Sequence, residues 1–303
     1  MGSLRNVVGN CLMNDIYGID PVAPADYRDF AQLMRVFEVD QGRFIADYPG
    51  GAWFLRLKQH LNGLASLEQM KAVELWLKVG RSALVPIQER FNPARSWPEN
   101  SIHLHGHVKA LLGGVDCPAT LTPLAEHLVD PAGFPDASAA HVQRTPDAYV
   151  KAARPLLQTS PKVVLIDPYF KLRYFDERAG VFRPAMRFRK SLEALLREAV
   201  RWRRVEIFKL AVSPREALAD DPDGSIFSDQ LSALADASGA GQIEFEMQPL
   251  DPNNAIDRHP RYLLGMERGL HFDWGFDTED AKSTNHVAWI SKSALQPLLK
   301  RFT

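Results

Sequence analysis

A continuous apolar run from Val163 to Ile166 limits most tightly what this chain can fold into. Such a run of β-branched and apolar residues is typical of a strand that is buried on both faces. Apolar residues then recur at helical spacing over 186–203, and a second apolar run follows over 205–212. A strand, a helix and a strand in this order predict an α/β domain.

The rest of the C-terminal half continues the pattern. We predict further elements in the order helix, four strands and helix, over 226–235, 243–247, 261–265, 270–274, 285–290 and 293–301. Residues 171–184 are predicted to form a loop. The fold class expected for residues 151–303 is therefore an α/β domain with a mixed sheet.

The N-terminal half shows a different pattern. Apolar residues at helical spacing predict helices over 27–37, 53–64 and 66–79, so residues 1–150 are expected to form a mainly α-helical domain of unknown role. The segment 131–145 is rich in Ala, Pro, Asp and Ser and is interpreted as a long loop or interdomain connection. His103, His105 and His107 alternate, which would place them on one side of a strand as a metal site or leave them hydrogen-bonded locally.

Composition restricts the class of protein. A length of 303 residues favours two domains or one large one, and a net charge of −1 means that any anion binding depends on local patches. Two cysteines, Cys11 and Cys117, with no paired spacing, fit a reducing cytoplasm and argue against a cysteine-built zinc site. Neither a signal peptide nor a membrane-spanning run is evident, and no cofactor or metal is expected.

One short stretch places two cation-forming side chains together. His259 and Arg261 are separated by one residue at the start of a predicted strand, so both point to the same side. An imidazole beside a guanidinium suits a phosphate or another anion. Asp167 follows the first buried strand, where ligands bind in open α/β sheets, and it would either contact this pair or cap the following turn. Tyr169, two residues on, is assigned to the same anion-binding site.

These motifs resemble a known family. A buried strand that ends in Asp-Pro-Tyr-Phe, two strand–helix units and then His-x-Arg-Tyr-Leu-Leu look like the phospholipase D-like superfamily, over about residues 161–303. Active members carry His-x-Lys, with an Asp further on and a Gly-Ser-x-Asn element beyond it. In that family the His is the nucleophile, the Lys and Asn hold phosphate oxygens, and two copies of the motif complete the site.

The resemblance implies roles for individual residues. His259 matches the nucleophile, Arg261 stands where the family has Lys, and Asn285, with Asp277, occupies the region of the later Asn. Lys282-Ser283-Thr284-Asn285 is only a loose match to Gly-Ser-x-Asn. Because the chain has a single His-x-Arg and no second motif, an active protein would have to form a homodimer. A permanently charged Arg preserves phosphate binding better than turnover.

A nucleophilic His must be oriented by an acid. Asp257, Asp277 and Glu267 are the candidates, and the sequence does not choose among them. A third reading is that Asp257, His259 and Arg261 form a hydrogen-bonded network that only fixes the start of the strand.

A basic segment precedes the second apolar strand. Five of its residues are predicted to share a face and to contact an anionic backbone: Arg187, Lys190, Arg197, Arg201 and Arg204. The alternative is a solvated helix face. Trp202 and Phe188 add rings that would either stack on bases or pack in the core.

Two functions follow from these observations. The first is a cytoplasmic, metal-independent phosphodiesterase or nuclease that acts on nucleic acid. The second is an accessory subunit of a multiprotein complex that has lost catalysis and recognises nucleic acid or a protein. The resemblance associates both with bacterial multi-gene systems such as antiviral defence.

Overall fold

The structure, a computed structural model, describes residues 14–37, 39–129, 134, 136–218, 221, 223–251, 253–254, 257, 261–279 and 282–302. The N-terminal strands are β1 Asp15–Ile19, β2 Arg43–Asp47, β3 Leu84–Pro86, β4 Ala110–Gly113 and β5 Thr122–Pro123. The helices around them are α1 Tyr27–Val36, α2 Trp53–Leu61, α3 Ser66–Leu75, α4 Arg81–Ala83, α5 Trp97–Ser101 and α6 Leu124–Val129.

The N-terminal half contains the three predicted helices, as α1, α2 and α3, but they pack around a sheet, so it is an α/β unit and the expectation of a mainly α-helical domain is corrected. Its strands run in the order β3-β2-β1-β4-β5, and every neighbouring pair is parallel. The strands are short, and β1 contains Gly18 between apolar residues, which hides the apolar run expected of a parallel strand. Gly18 is closely packed: a Cβ there would lie 2.6 Å from a methyl group of Leu111 and would displace that side chain.

The C-terminal half contains the larger sheet. Its strands are β6 Ala139–Gln143, β7 Lys162–Ile166, β10 Ile207–Val212, β11 Glu244–Pro249, β12 Tyr262–Leu264, β13 Gly269–Phe272 and β14 Thr284–Trp289. A separate hairpin is formed by β8 Arg173–Asp176 and β9 Val181–Pro184. The helices are α7 Pro146–Leu157, α8 Met186–Trp202, α9 Pro214–Ala217, α10 Ser225–Ala237 and α11 Lys292–Phe302.

The α/β class and the mixed sheet predicted for this half are confirmed. The strand order is β11-β10-β7-β12-β13-β14-β6, in which β7, β10 and β11 are parallel and the others pair antiparallel. Helices α7, α8 and α10 cover one face through Leu156, Leu195 and Leu231, whereas α11 covers part of the other. No helix in the described ranges combines the length and apolar character that crossing a bilayer would need.

Two segments predicted as loops contain strands. Residues 171–184 form the β8–β9 hairpin, and β6 lies inside the segment that was interpreted as a connection. β6 pairs with β14, so by sheet membership it belongs with the C-terminal half, although a division at residue 150 had been predicted. The backbone contacts that build these strands come from distant residues, which local composition does not reveal.

The two halves share contacts at one buried arginine. Arg268, at the turn between β12 and β13, is fully buried and donates to the carbonyl oxygens of Ser82, Leu84 and Pro155. Its guanidinium carbon lies 4.9 Å from the ring centroid of Phe44. Burial lowers the pKa of Arg268 to about 10, so the side chain remains charged at neutral pH.

Candidate functional site

One edge of the large sheet collects the polar residues that the sequence indicated. Strands β7 and β13 end at this edge, and the antiparallel strands β12 and β14 begin there. Asp167 follows β7, Arg261 precedes β12, Asp273 follows β13 and Asn285 lies at the start of β14. We call this end of the sheet, where the parallel strand β7 terminates, the carboxyl edge. Ligands bind at this end of the strands in open α/β folds.

Asp167 is a buried acid that holds two loops together. Only 1% of its surface is exposed. Its Oδ1 accepts a 2.9 Å hydrogen bond from the Tyr169 amide, and its Oδ2 accepts a 3.1 Å bond from the Phe276 amide. Burial raises the pKa of Asp167 to about 6, although both hydrogen bonds and the charge of Arg261 oppose the rise. The acid therefore caps the turn and also stands beside the predicted anion site.

Arg261 is positioned by a backbone carbonyl and an aromatic ring. A guanidinium N–H donates to the carbonyl oxygen of Asp273, and the guanidinium carbon lies 5.1 Å from the ring centroid of Tyr169. Within the described ranges, no carboxylate forms an ion pair with Arg261. The Tyr169 ring is 42% exposed, so this cation and this ring together face solvent at the carboxyl edge.

Asn285 is buried and engaged in the fold. Its Oδ1 accepts from the Trp274 amide at 3.0 Å, and its Nδ2 donates to the Tyr149 hydroxyl at 3.1 Å and to the Gly275 carbonyl at 3.0 Å. Both amide hydrogens are therefore used, and no surface is exposed. The geometry assigns Asn285 to the shape of the 274–275 turn, whereas the resemblance had implied a phosphate contact.

Asp277 forms an ion pair away from Arg261. Its Oδ2 lies 2.5 Å from a guanidinium nitrogen of Arg144, which also pairs with Glu279 at 3.0 Å. The Arg144 guanidinium lies 6.0 Å from the ring centroid of Trp274, which is 63% exposed. Neither Arg144 nor Trp274 belongs to a sequence motif, so neither was predicted as a site residue.

The predicted nucleophile, His259, lies outside the described residues. Of the acids proposed to orient it, Asp257 is buried and pairs with Arg301 at 2.7 Å, and Asp277 pairs with Arg144. Glu267 is exposed and sits at the other end of β12 from Arg261. Two of the three acids thus have other partners, and the third lies at the opposite edge.

The predicted basic face is divided along α8. Arg187 and Lys190 lie at the start of the helix, at the carboxyl edge, whereas Arg201 lies about 21 Å further along the axis than Arg187. Arg197 pairs with Glu193 at 2.5 Å, and Arg201 stands 5.7 Å from the Trp202 ring. Arg204 lies beyond the helix end, and its charge contributes to the pKa of Asp47 in the N-terminal half.

An open polar cleft adjoins the start of this helix. It has a volume of about 480 Å³ and is lined by Met186, Arg187, Lys190, Thr278 and Glu279. Arg187 pairs weakly with Glu279 at 3.4 Å, and Thr278 donates its hydroxyl to the Arg187 carbonyl at 2.9 Å. The loop from Phe276 to Glu279 therefore joins the cleft to the turn that Asp167 holds.

A row of histidines lies on the open face of the sheet. The Nδ1 atoms of His271 and His286 approach the two oxygens of Asp273 at 3.3 and 3.4 Å, and His141 lies beside His286. Burial lowers the pKa of His271, while Asp273 acts in the opposite direction. The net effect is a pKa of His271 below the ordinary value for histidine.

The three alternating histidines do not lie on a strand. Ile102–Leu104 form a 3-10 helix, and His105 to His107 continue in a turn, with His107 2.8 Å from Glu89. No cluster of three or more His, Cys, Asp or Glu side chains suited to a metal ion occurs among the positions that the structure covers.

Comparison with known proteins adds little. No family model and no curated protein matches the sequence. Among solved structures, TrmBL2, an archaeal chromatin protein whose structure shows a novel mode of DNA binding, is similar at 12% identity, over 80% of this chain and 83% of that one. Its TM-score is 0.26, which is too low to support an argument about fold or function.

Proposed function

We propose that this protein binds nucleic-acid phosphodiesters at the carboxyl edge of its large sheet, with Arg261 as the phosphate contact. The proposal rests on the contacts that the Arg261 guanidinium makes. The Asp273 carbonyl and the Tyr169 ring hold the guanidinium, and no carboxylate in the described part of the chain forms an ion pair with it, although its charge lowers the pKa of the nearby Asp167. A positioned guanidinium suits bidentate binding of a phosphate.

The surroundings of Arg261 favour a nucleic acid over a small anion. Arg187 and Lys190 supply further positive charge at the same edge. Tyr169 and Trp274 are exposed by 42% and 63% and offer rings on which bases can stack. Cations beside exposed rings suit a chain of phosphates and bases.

Recognition without turnover is the form that the contacts support best. Asn285 and Asp277, to which the resemblance gave roles in the reaction, are occupied by Tyr149 and Arg144. Cleavage by His259 in a phospholipase D-like homodimer is the second candidate. Asp167 favours it, because a carboxyl with a pKa of about 6 beside Arg261 exchanges protons near neutral pH. In either form, membership of a bacterial defence complex is part of the proposal that rests on resemblance alone.

Binding is tested by fluorescence anisotropy with a labelled oligonucleotide over a series of salt concentrations. Arg261→Gln should weaken binding by about tenfold or more, because a charge-assisted hydrogen bond contributes about 1.5–3 kcal/mol. The slope of log K against log salt should fall by about one. Arg28→Gln, on the exposed side of α1, is the matched control for charge. Equal effects of both substitutions would argue against a site at Arg261.

Turnover is tested separately in metal-free nuclease and phosphodiesterase assays. Activity in the wild type that is lost in His259→Ala, together with a dimeric mass, would establish the second candidate. Absence of activity in both proteins, with binding retained, would establish recognition without cleavage. A strictly monomeric mass would exclude the family's two-histidine site.

A further inference from the structure

The β8–β9 hairpin stands apart from both large sheets. Phe175 is directly opposite Phe182 across the two strands, and the ring centroids are 5.1 Å apart. Leu172, at the base, is buried, and the Ala185 amide donates to its carbonyl at 2.9 Å. An isolated two-stranded hairpin is at best marginally stable in water, so this base anchors an arm that otherwise gains little from packing.

Large apolar side chains cover both faces of this arm yet remain in solvent. Phe175 is 50% exposed, Val181 49%, Tyr174 44% and Phe182 42%. Because residues alternate between faces along each strand, Phe175 and Phe182 share a face with Arg173. The Arg173 guanidinium carbon lies 4.4 Å from the centroid of the Phe182 ring. Contiguous exposed apolar surface of this kind marks an interaction site.

The charge of the hairpin indicates the chemistry of its binding partner. The segment from Arg173 to Lys190 contains six basic and two acidic residues. One of the acids, Asp176, pairs with Arg183 at 2.6 Å. Aromatic rings set among positive charges match a polymer that presents flat bases and phosphates, and they match an apolar protein surface poorly.

The position of the arm connects it to the candidate site. The chain enters the hairpin just after Asp167 and Tyr169, and it leaves into the first turn of α8, which lines the polar cleft. A strand of nucleic acid held at Arg261 therefore passes next to the base of the hairpin.

We propose that the β8–β9 hairpin is a stacking arm for single-stranded nucleic acid, in which Phe175 and Phe182 receive bases. This inference rests on the proposed function and specifies its ligand as single-stranded. In a duplex, neighbouring bases already cover each other, whereas unpaired bases expose the π-faces that aromatic side chains need.

The test uses a labelled oligo-dT 20-mer and a mixed-sequence duplex of equal length, with binding measured by anisotropy. The variant Phe175→Leu/Phe182→Leu retains apolar volume and removes both rings, and Val181→Ala, on the other face, is its control. We expect the leucine variant to bind the single strand at least about tenfold more weakly, since each stacked base contributes about 5- to 150-fold. The salt slope should not change, because no charge is lost.

The outcomes separate this proposal from the one on Arg261. If the leucine variant loses single-strand binding and Arg261→Gln binds like the wild type, the stacking arm is supported and the proposed phosphate site at Arg261 is excluded. Unchanged single-strand binding in the leucine variant, or equal weakening toward single strand and duplex, overturns the stacking arm. If the leucine variant changes its oligomeric mass, measured by light scattering, and keeps its affinity, the stacking arm is also overturned. The face with Phe175 and Phe182 is then a contact between copies of this chain. Far-ultraviolet circular dichroism and the melting temperature show that each variant is folded.

Discussion

Asp167 and Arg261 both lie against Gly275. A methyl group at Gly275 would stand 2.5 Å from Oδ2 of Asp167 and 3.2 Å from Cδ of Arg261. The backbone at Gly275 has a φ of +79°, which residues with a side chain rarely adopt. Asp167 and Arg261, the candidate phosphate-binding residue, therefore both depend on Gly275 for their placement.

Gly275→Ala should both destabilise the protein and weaken nucleic-acid binding. The left-handed backbone alone costs about 1–2 kcal/mol, and the contact with Asp167 adds to it. Gly51 has the same φ of +79° with open space around it, so Gly51→Ala measures the backbone cost alone. Thermal unfolding of both variants gives the difference, and equal losses of melting temperature would show that the contact with Asp167 does not matter.

Stability should decline as the pH rises through the titration range of Asp167. Its folded pKa of about 6 lies above the ordinary 3.8, so the folded state holds this proton more tightly than the unfolded state. The stabilisation is complete below about pH 4 and is lost as the pH rises through about 6. The difference between the folded pKa and the ordinary pKa corresponds to about 3 kcal/mol.

Asp167→Asn isolates this contribution, because an amide does not titrate. The free energy of unfolding of wild type minus that of the variant, from denaturant curves between pH 4.5 and 7.5, should decrease with rising pH. A difference that stays constant across this range would contradict the raised pKa.

Substitution of Asn285 should affect stability first. Asn285→Ala leaves the partly buried Trp274 amide without its acceptor, at a cost of about 1–3 kcal/mol. Asn285→Asp should cost at least as much, because a buried carboxylate oxygen would then face the Gly275 carbonyl. A direct phosphate contact would instead give variants with normal melting temperatures and lost binding, so the two measurements together decide its role.

Arg268→Met should destabilise the whole chain by about 3 kcal/mol or more. The substitution removes donors from three carbonyl oxygens, and an unsatisfied buried acceptor costs about 1–3 kcal/mol. Arg178→Met, at the exposed turn of the β8–β9 hairpin, is the control for loss of charge. Denaturant unfolding gives the free energy of unfolding of both variants. A decrease below about 1 kcal/mol for Arg268→Met would mean that the contact between the two halves tolerates the missing donors.

The two ends of α8 should contribute unequally to binding. Arg187→Gln/Lys190→Gln removes two charges at the cleft and should reduce the salt slope by about two. Arg197→Gln/Arg201→Gln removes two charges from the remote part of the helix and should change the slope little. Equal changes in slope would indicate that the ligand lies along the whole helix.

The sequence predicted best those elements whose periodicity is strong and local. β7 was expected and found over Lys162–Ile166, and α8 was expected over 186–203 and spans Met186–Trp202. β1 to β5 were missed because they are short and interrupted by Gly, Asp or Pro, and because their partners are distant in sequence. The β8–β9 hairpin was missed because its outward aromatic residues do not alternate with polar ones.

At the site, the sequence indicated positions better than roles. The end of a buried strand placed Asp167 at the carboxyl edge, and the stretch before β12 placed Arg261 there. The partners of Asn285 could not be predicted, because Tyr149 is 136 residues away and the Gly275 carbonyl belongs to the backbone. Arg144 was not recognised because it follows an edge strand that the composition had disguised as a loop.

The pairing of β6 with β14 sets the order in which this molecule can be completed. During synthesis, β6 must wait for about 140 further residues before its neighbour Asn285 leaves the ribosome. Until then β6 lacks β14, its partner strand in the large sheet. The β6 side of the large sheet is therefore completed late in synthesis, together with the turn that Asn285 shapes.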